Sequence, residues 1–323
     1  MNYGLDHVGI MNELAKQSSF DVVILGGDNI QGQQIKASTI NDLDNLMGVV
    51  MGHDYPTLVV RGNHDTNAFK TGPYDDVPPD INDCINAQDW YTHVVSVIAK
   101  DITVDPSNSS SAYYYKDFEE QKIRIIVLDM VDVPEIKEDN GKARYISGYP
   151  SGYGIQNTQL NWLANVALNF DLKEDNKVEW QVLLVSHMSP ESTIIGDGGY
   201  NFDVLRGVIQ AFKNGCNYTS GTWVDPPGQV SNPNAPIDFA RNVSVNFEYR
   251  GVVIAWISGH IHCDSVFNIN GIQYITTNNS VPSEDGRNGM HCFDAYVIDR
   301  MCNTINVERY GYGASRRFVY NLS

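Results

Sequence analysis

The chain has 323 residues, 42% of them apolar and 19% charged, with 27 glycines and 13 prolines. That is too apolar for a disordered chain and long enough to bury one large core. A net charge of −17 sets the surface against the phosphate backbones of DNA or RNA, which excludes a general nucleic-acid binder.

No apolar run approaches the ~18 to 20 residues of a membrane span, so a soluble chain is expected. Five cysteines without a CxxC pair signal neither a zinc knuckle nor a disulfide framework. Nothing at Met1 reads as a signal peptide, and the residues leave both compartment and oligomeric state open.

In chain order, residues 3–19 space Leu5, Val8, Met11 and Leu14 at helical intervals. Asp21 to Leu25 is a short apolar run closed by Gly26-Gly27, the pattern of a strand buried on both faces. A second helix is expected near Ala37 to Gly48, and a second buried strand at Thr57 to Val60. This rhythm is that of an α/β fold. Strands follow at Ser111 to Tyr115, where the tyrosines read as strand packing, and at Lys122 to Leu128, closed by Asp129 as a cap or turn residue.

Further along, a helix is expected at Gln159 to Leu168 and a buried strand at Gln181 to Val185. Phe202 to Lys213 reads as an amphipathic helix stopped by Gly215. Residues 216–245, rich in Gly, Pro, Asn and Ser, form the longest irregular stretch and have the length of a lid. Val252 to Ile257 is another buried strand. Residues 272–320 alternate like antiparallel strands, with a turn at Cys302-Asn303, and are expected to build a second sheet. No linker interrupts the chain, so one domain over 1–323 is the reading.

Four of these apolar strands run into a tight turn carrying ligand-type residues. They lead to Gly27-Asp28, to Arg61-Gly62-Asn63-His64-Asp65, to Ser186-His187 and to Gly259-His260-Ile261-His262. In open α/β sheets the functional crevice lies beyond the carboxyl ends of the strands. One such strand end arises easily by chance; four are a convergence. Asp28, Asn63, His187, His260 and His262 together make a mixed oxygen and nitrogen set suited to Mn, Fe, Zn or Ni, and not to calcium.

On extended chain, His260 and His262 would point from one face, ~6.5 Å apart, so that each could serve a different ion of a pair. Asp28 between two cations would offset their repulsion. His64, next to Asn63, points elsewhere and is a candidate general acid, with Asp65 to orient it. Arg61 is a weaker candidate for substrate contact. Cys263 faces away from His262 on extended chain and is not counted.

These segments, in this order and spacing, resemble the calcineurin-like metallophosphoesterase superfamily, from about Asp21 to the C-terminus. The Gln159-Leu160-Asn161-Trp162-Leu163 start of a helix and Arg309-Tyr310-Gly311-Tyr312-Gly313 also look like bacterial members. The resemblance implies a four-layer αββα sandwich of two mixed sheets around a dinuclear centre, with Asp28 bridging two ions. It implies that Asn63, His187 and His260 complete one ion and that His262 belongs to the other. His64 would then protonate the leaving oxygen of a small phosphoester attacked by a metal-bound hydroxide.

The family pattern opens with an Asp-x-His motif at the end of its first strand, and none precedes Asp28. The adjacent pair Asp6-His7 is expected on a helix surface, where neighbours diverge by ~100°. A first strand lying upstream of Met1 is the most economical expectation, leaving a one-metal or weakly active phosphoesterase. The alternative is a non-catalytic metal-binding or interaction protein that keeps the fold.

Overall fold

The computed structural model describes residues 3–52, 54–68, 80–133, 135–137, 143–145, 153–171, 173, 178–195, 199–221, 241–280 and 290–321. Helix α1 spans Tyr3–Ser18 and α2 spans Lys36–Val50. The strands begin with β1 (Val23–Leu25), β2 (Thr57–Val59), β3 (Thr103–Val104), β4 (Tyr114–Phe118) and β5 (Ile123–Leu128). A short antiparallel pair, β6 (Glu135–Lys137) and β7 (Ala143–Tyr145), precedes β8 (Gln181–Ser186). Then come β9 (Asn217–Thr219), β10 (Ser244–Asn246), β11 (Val252–Ser258), β12 (Ser265–Ile269) and β13 (Ile272–Thr276). The chain closes with β14 (Cys292–Asp299), β15 (Thr304–Gly311) and β16 (Arg316–Val319).

Seven strands form the central sheet in the order β12-β13-β11-β8-β5-β4-β3. Its middle is parallel, β13 to β11 to β8 to β5, and antiparallel strands close both sides. β5 and β8 are buried at all six positions, which explains why both read as unbroken apolar runs. Alternate residues serve opposite cores. Ile126, Leu128, Val182 and Leu184 pack with the helices Asn157–Trp162 and Phe202–Asn214, while Ile125, Val127, Leu183 and Val185 pack with α2, β2 and the C-terminal strands. The sheet is thus covered on both faces, as a layered sandwich requires.

The second layer comes in two pieces. β1 and β2 pair in parallel, and β14-β15-β16 form an antiparallel sheet. At Val59, still paired in register with Leu25 of β1, the Tyr114 hydroxyl accepts from the backbone N at 2.7 Å and donates to the backbone O at 2.9 Å. One central-sheet side chain therefore satisfies the open edge of β2, a buried pair of backbone groups that would otherwise be costly.

Several expectations shift. The first tyrosine strand starts at Tyr114 rather than Ser111, because Asn108 accepts from Ser110 N and the chain turns there. Ile272–Thr276 belongs to the central sheet, parallel to β11, so the separate C-terminal sheet begins only at Cys292. The ends of the irregular stretch pair as β9 and β10, while the central part of the expected lid lies outside the described residues. His7 is buried rather than on the helix surface, with its Nε2 3.0 Å from Nδ1 of His291, the residue before β14. Among the described residues no helix is long and apolar enough to cross a membrane.

Candidate metal centre

β1, β2, β8 and β11 deliver their carboxyl ends to one place, and two glycines set how closely the turns approach. Gly27 has φ +95°, and a Cβ on it would overlap the His187 ring, 2.7 Å from Cγ. A Cβ on Gly62 would lie 3.0 Å from Asp28 Cγ and closer still to its backbone nitrogen. Only glycine fits either position. Gly259 N donates to His187 O at 2.8 Å, and the His187 ring meets Gly26 O through Nδ1 at 2.9 Å. These contacts tie the β1 turn to the ends of β8 and β11.

Asp28 and His260 both take left-handed backbone, with φ of 53° and 66°. That conformation is uncommon for residues bearing a Cβ and concentrates where function demands it. The result is a convergence of donor atoms. Asp28 Oδ2 lies 3.1 Å from His187 Nε2, and His187 Nε2 lies 3.3 Å from His260 Nδ1. The ligand atoms of Asp28, His187 and His260 all fall within 4.8 Å of one another.

The electrostatics follow from that crowding. Burial alone would raise the Asp28 carboxyl, but the His187 and His64 rings beside it, the His187 ring's hydrogen bond and the His64 backbone N–H hold it well below the usual carboxylate range. Burial would lower His187, and the adjacent Asp28 carboxylate raises it above the ordinary imidazole value. His260 is pushed down to about 4 by burial and by His187, so near neutrality it keeps a lone pair. With Nδ1 turned to the Gly26 carbonyl, His187 offers Nε2 to the cluster, the arrangement in which a second hydrogen bond fixes a ligating imidazole.

Asn63 is buried, and among the described residues its Oδ1 has no hydrogen-bond partner. An orphaned buried acceptor is costly unless something else satisfies it. It sits between Gly62, which packs on Asp28, and His64, whose backbone N donates to Asp28 Oδ1 at 2.9 Å. A cation fits these observations: one carboxylate, one amide oxygen in need of a partner, and two imidazoles facing each other.

His262 stands apart from this group. It is exposed and has φ 51°, so the residues from His260 to His262 are not extended and do not share a face as the strand geometry predicts. It remains near enough to His260 to oppose that ring's protonation. His64 turns its Nε2 toward Asp28 Oδ2, 4.0 Å away, and its Nδ1 lies 2.9 Å from Gln31 O.

Two residues expected to serve the site have their printed contacts elsewhere. Asp65, expected to orient His64, has a fully buried carboxylate that accepts from Gly62 N, Asn29 N, Asn29 Nδ2 and Ile30 N. It ties the β1 turn to the β2 turn. Burial, the nearby Asp28 charge second, pushes it up to about 6. Arg61, expected as a substrate contact, has a side chain only 4% exposed, pairing with Asp129 and donating to Ile85 O. Sequence reading missed the Gln31 carbonyl, a backbone group without a residue signature. It also missed Tyr153, whose ring meets His260 edge-on at 5.4 Å.

No curated protein matches the chain. Among solved structures, the chain is similar to a dimetal phosphatase from Danio rerio, with a TM-score of 0.61 at 14% identity over 98% of this chain and 89% of that one. At that identity the likeness speaks for the fold, a metallophosphoesterase-like mixed α/β architecture. The family model described as calcineurin-like phosphoesterase matches residues 6–264, four of whose strand ends build the cluster above. By that match over most of its length, the chain belongs to the calcineurin-like phosphoesterase family.

Proposed function

We propose that the chain is a metal-dependent hydrolase of small phosphomonoesters or phosphodiesters. The observation that carries the reading is the convergence of Asp28, His187 and His260, with Asn63, set between two residues that touch Asp28, bearing an Oδ1 that has no partner among the described residues. Asp28, Asn63, His187 and His260 would hold a divalent transition ion (Mn, Fe, Zn or Ni), with His262 on the open side for a second. Such ions, when bound, polarise phosphoryl oxygens and make water a nucleophile near neutral pH.

The chain's own residues do the rest. Asp28 sets the negative charge that draws cations into a site on a strongly acidic protein. His64 is the general acid: Gln31 O holds its Nδ1, leaving Nε2 on the cluster side to give a proton to the departing oxygen. Asp65 keeps both turns in register but transfers no proton. The acidic surface disfavours polynucleotide substrates and leaves a small phosphoester as the expected partner.

The test is hydrolysis of p-nitrophenyl phosphate and bis-p-nitrophenyl phosphate with added Mn²⁺, alongside bound metal per chain. Turnover that disappears in His64→Ala, with metal content retained, supports the reading. A tightly bound ion with no turnover on either ester would refute it in favour of a non-catalytic metal-binding protein.

A further inference from the structure

The segment Arg309–Gly313 lies beyond the stretch matched by the family model, which ends at Asp264. The two meet in a closed set of four charges. Arg309 grips Asp264 with both arms of its guanidinium, Nη1 to Oδ2 at 2.9 Å and Nη2 to Oδ1 at 2.7 Å. Its Nε donates to Asp294 Oδ1 at 2.6 Å, and Nη1 also donates to Tyr312 O at 2.7 Å. Arg316 completes the set, 2.9 Å from Asp264 and 2.6 Å from Asp294. The Arg309 side chain is 1% exposed. Gly313, at φ +112°, makes room for it, since a Cβ there would lie 3.1 Å from Arg309 Cζ.

Asp264 is two residues past His262. The loop from Gly259 to Asp264 is therefore pinned at its start by the Gly259 N to His187 O bond and at its end by this clamp. The Cys263 carbonyl accepts from Thr276 Oγ1 at 2.8 Å between them. His262, exposed and left-handed, lies between these anchors. A planar fork on a carboxylate fixes direction as well as distance, which a lysine ammonium cannot do.

We infer that Arg309 is a positioning residue of the metal centre, holding His262 in ligating geometry through Asp264. The inference rests on the proposed ligand role of His262. Outer partners of metal ligands typically matter by ~10- to 100-fold in metal affinity.

The experiment is a Mn²⁺ binding isotherm on the full chain for wild type, Arg309→Lys, Asp264→Asn, His262→Ala and the double variant Arg309→Lys/His262→Ala. Urea unfolding of each metal-free protein accompanies it. The expected result is that Arg309→Lys and Asp264→Asn each weaken, by ~10-fold or more, the binding step that His262→Ala weakens. In the His262→Ala background, Arg309→Lys should then cost nothing further.

Wild-type Mn²⁺ binding by Arg309→Lys, or a loss that adds in full to that of His262→Ala, overturns the inference and leaves the metal reading intact. Unfolding of both clamp variants without metal also overturns it, because the clamp then serves the fold alone. Unchanged Mn²⁺ binding by His262→Ala removes the ligand role itself, and the inference with it.

Discussion

Asn63→Leu separates stability from metal binding in one substitution. Leucine has the same branching and the same number of side-chain heavy atoms as asparagine, but no acceptor. The buried Oδ1 of Asn63 has no partner among the described residues, a situation that costs ~1 to 3 kcal/mol. Leucine removes that cost. With ~2.1 cal/mol/K of unfolding entropy per residue over 323 residues, ~2 kcal/mol corresponds to about 3 °C in Tm. In EDTA the variant is therefore expected to melt above wild type.

In metal the order should reverse. An ion at about 100 times its Kd stabilises wild type by ~2.7 kcal/mol, or about 4 °C on the same scale. If loss of Asn63 weakens the ion about 100-fold, the same concentration stabilises the variant by only ~0.4 kcal/mol. Thermal melts of both proteins in EDTA and in Mn²⁺ check the crossing. A variant that melts below wild type in EDTA, or that gains as much from Mn²⁺ as wild type does, would refute the assignment of Oδ1 as an unfilled ligand.

Gly27→Ala places a methyl group against the buried His187 ring and forces alanine to φ +95°. About 1–2 kcal/mol of backbone strain with ~1–3 kcal/mol of overpacking should appear in urea unfolding, together with lost metal binding. Arg61→Met leaves Asp129 buried and unpaired, a loss of ~3–5 kcal/mol that Arg61→Met/Asp129→Leu should largely recover. A change in KM with an unaltered unfolding midpoint would return Arg61 to substrate contact.

Without metal, the pH profile of stability should peak on the mildly acidic side. Asp28, lowered in the fold, contributes above the ordinary carboxylate range and loses that contribution as pH falls through its folded value. His187, raised in the fold, contributes below the ordinary imidazole value of 6.5 and loses it as pH rises through its folded value. Asp65, pushed up to about 6, favours the fold in acid and loses that contribution as pH rises through about 6. Mn²⁺ should move the optimum upward, because ligation needs His187 deprotonated. Urea midpoints from pH 4 to 8 with and without Mn²⁺ test this, and an unmoved optimum counts against His187 as a ligand.

The parallel strands were legible because a strand covered on both faces must be apolar throughout, as β5 and β8 are. The carboxyl ends of such strands then pointed to Asp28, His187 and His260, whose ligand atoms the fold brings within 4.8 Å of one another, without any knowledge of packing. What stayed hidden depends on contacts distant in sequence or on backbone conformation. Arg61 finds its carboxylate 68 positions away at Asp129, and a motif cannot tell a buried guanidinium from a solvent-facing one. Asp65 follows His64 directly, yet its acceptors point to Gly62, Asn29 and Ile30. The pairing of His260 with His262 assumed extended chain, and positive φ at both residues breaks that rule. β13 alternates like its C-terminal neighbours, but alternation does not say which sheet a strand will join.

The candidate ligands come from both tiers of the sandwich: Asp28 and Asn63 follow β1 and β2, whereas His187 and His260 follow β8 and β11. A cation seated among them would act as a rivet between the two tiers. Amide hydrogen exchange in β1 and β2 should then slow on adding metal even at positions far from the ion, and the rate at which a chelator strips the ion would report how often the tiers part.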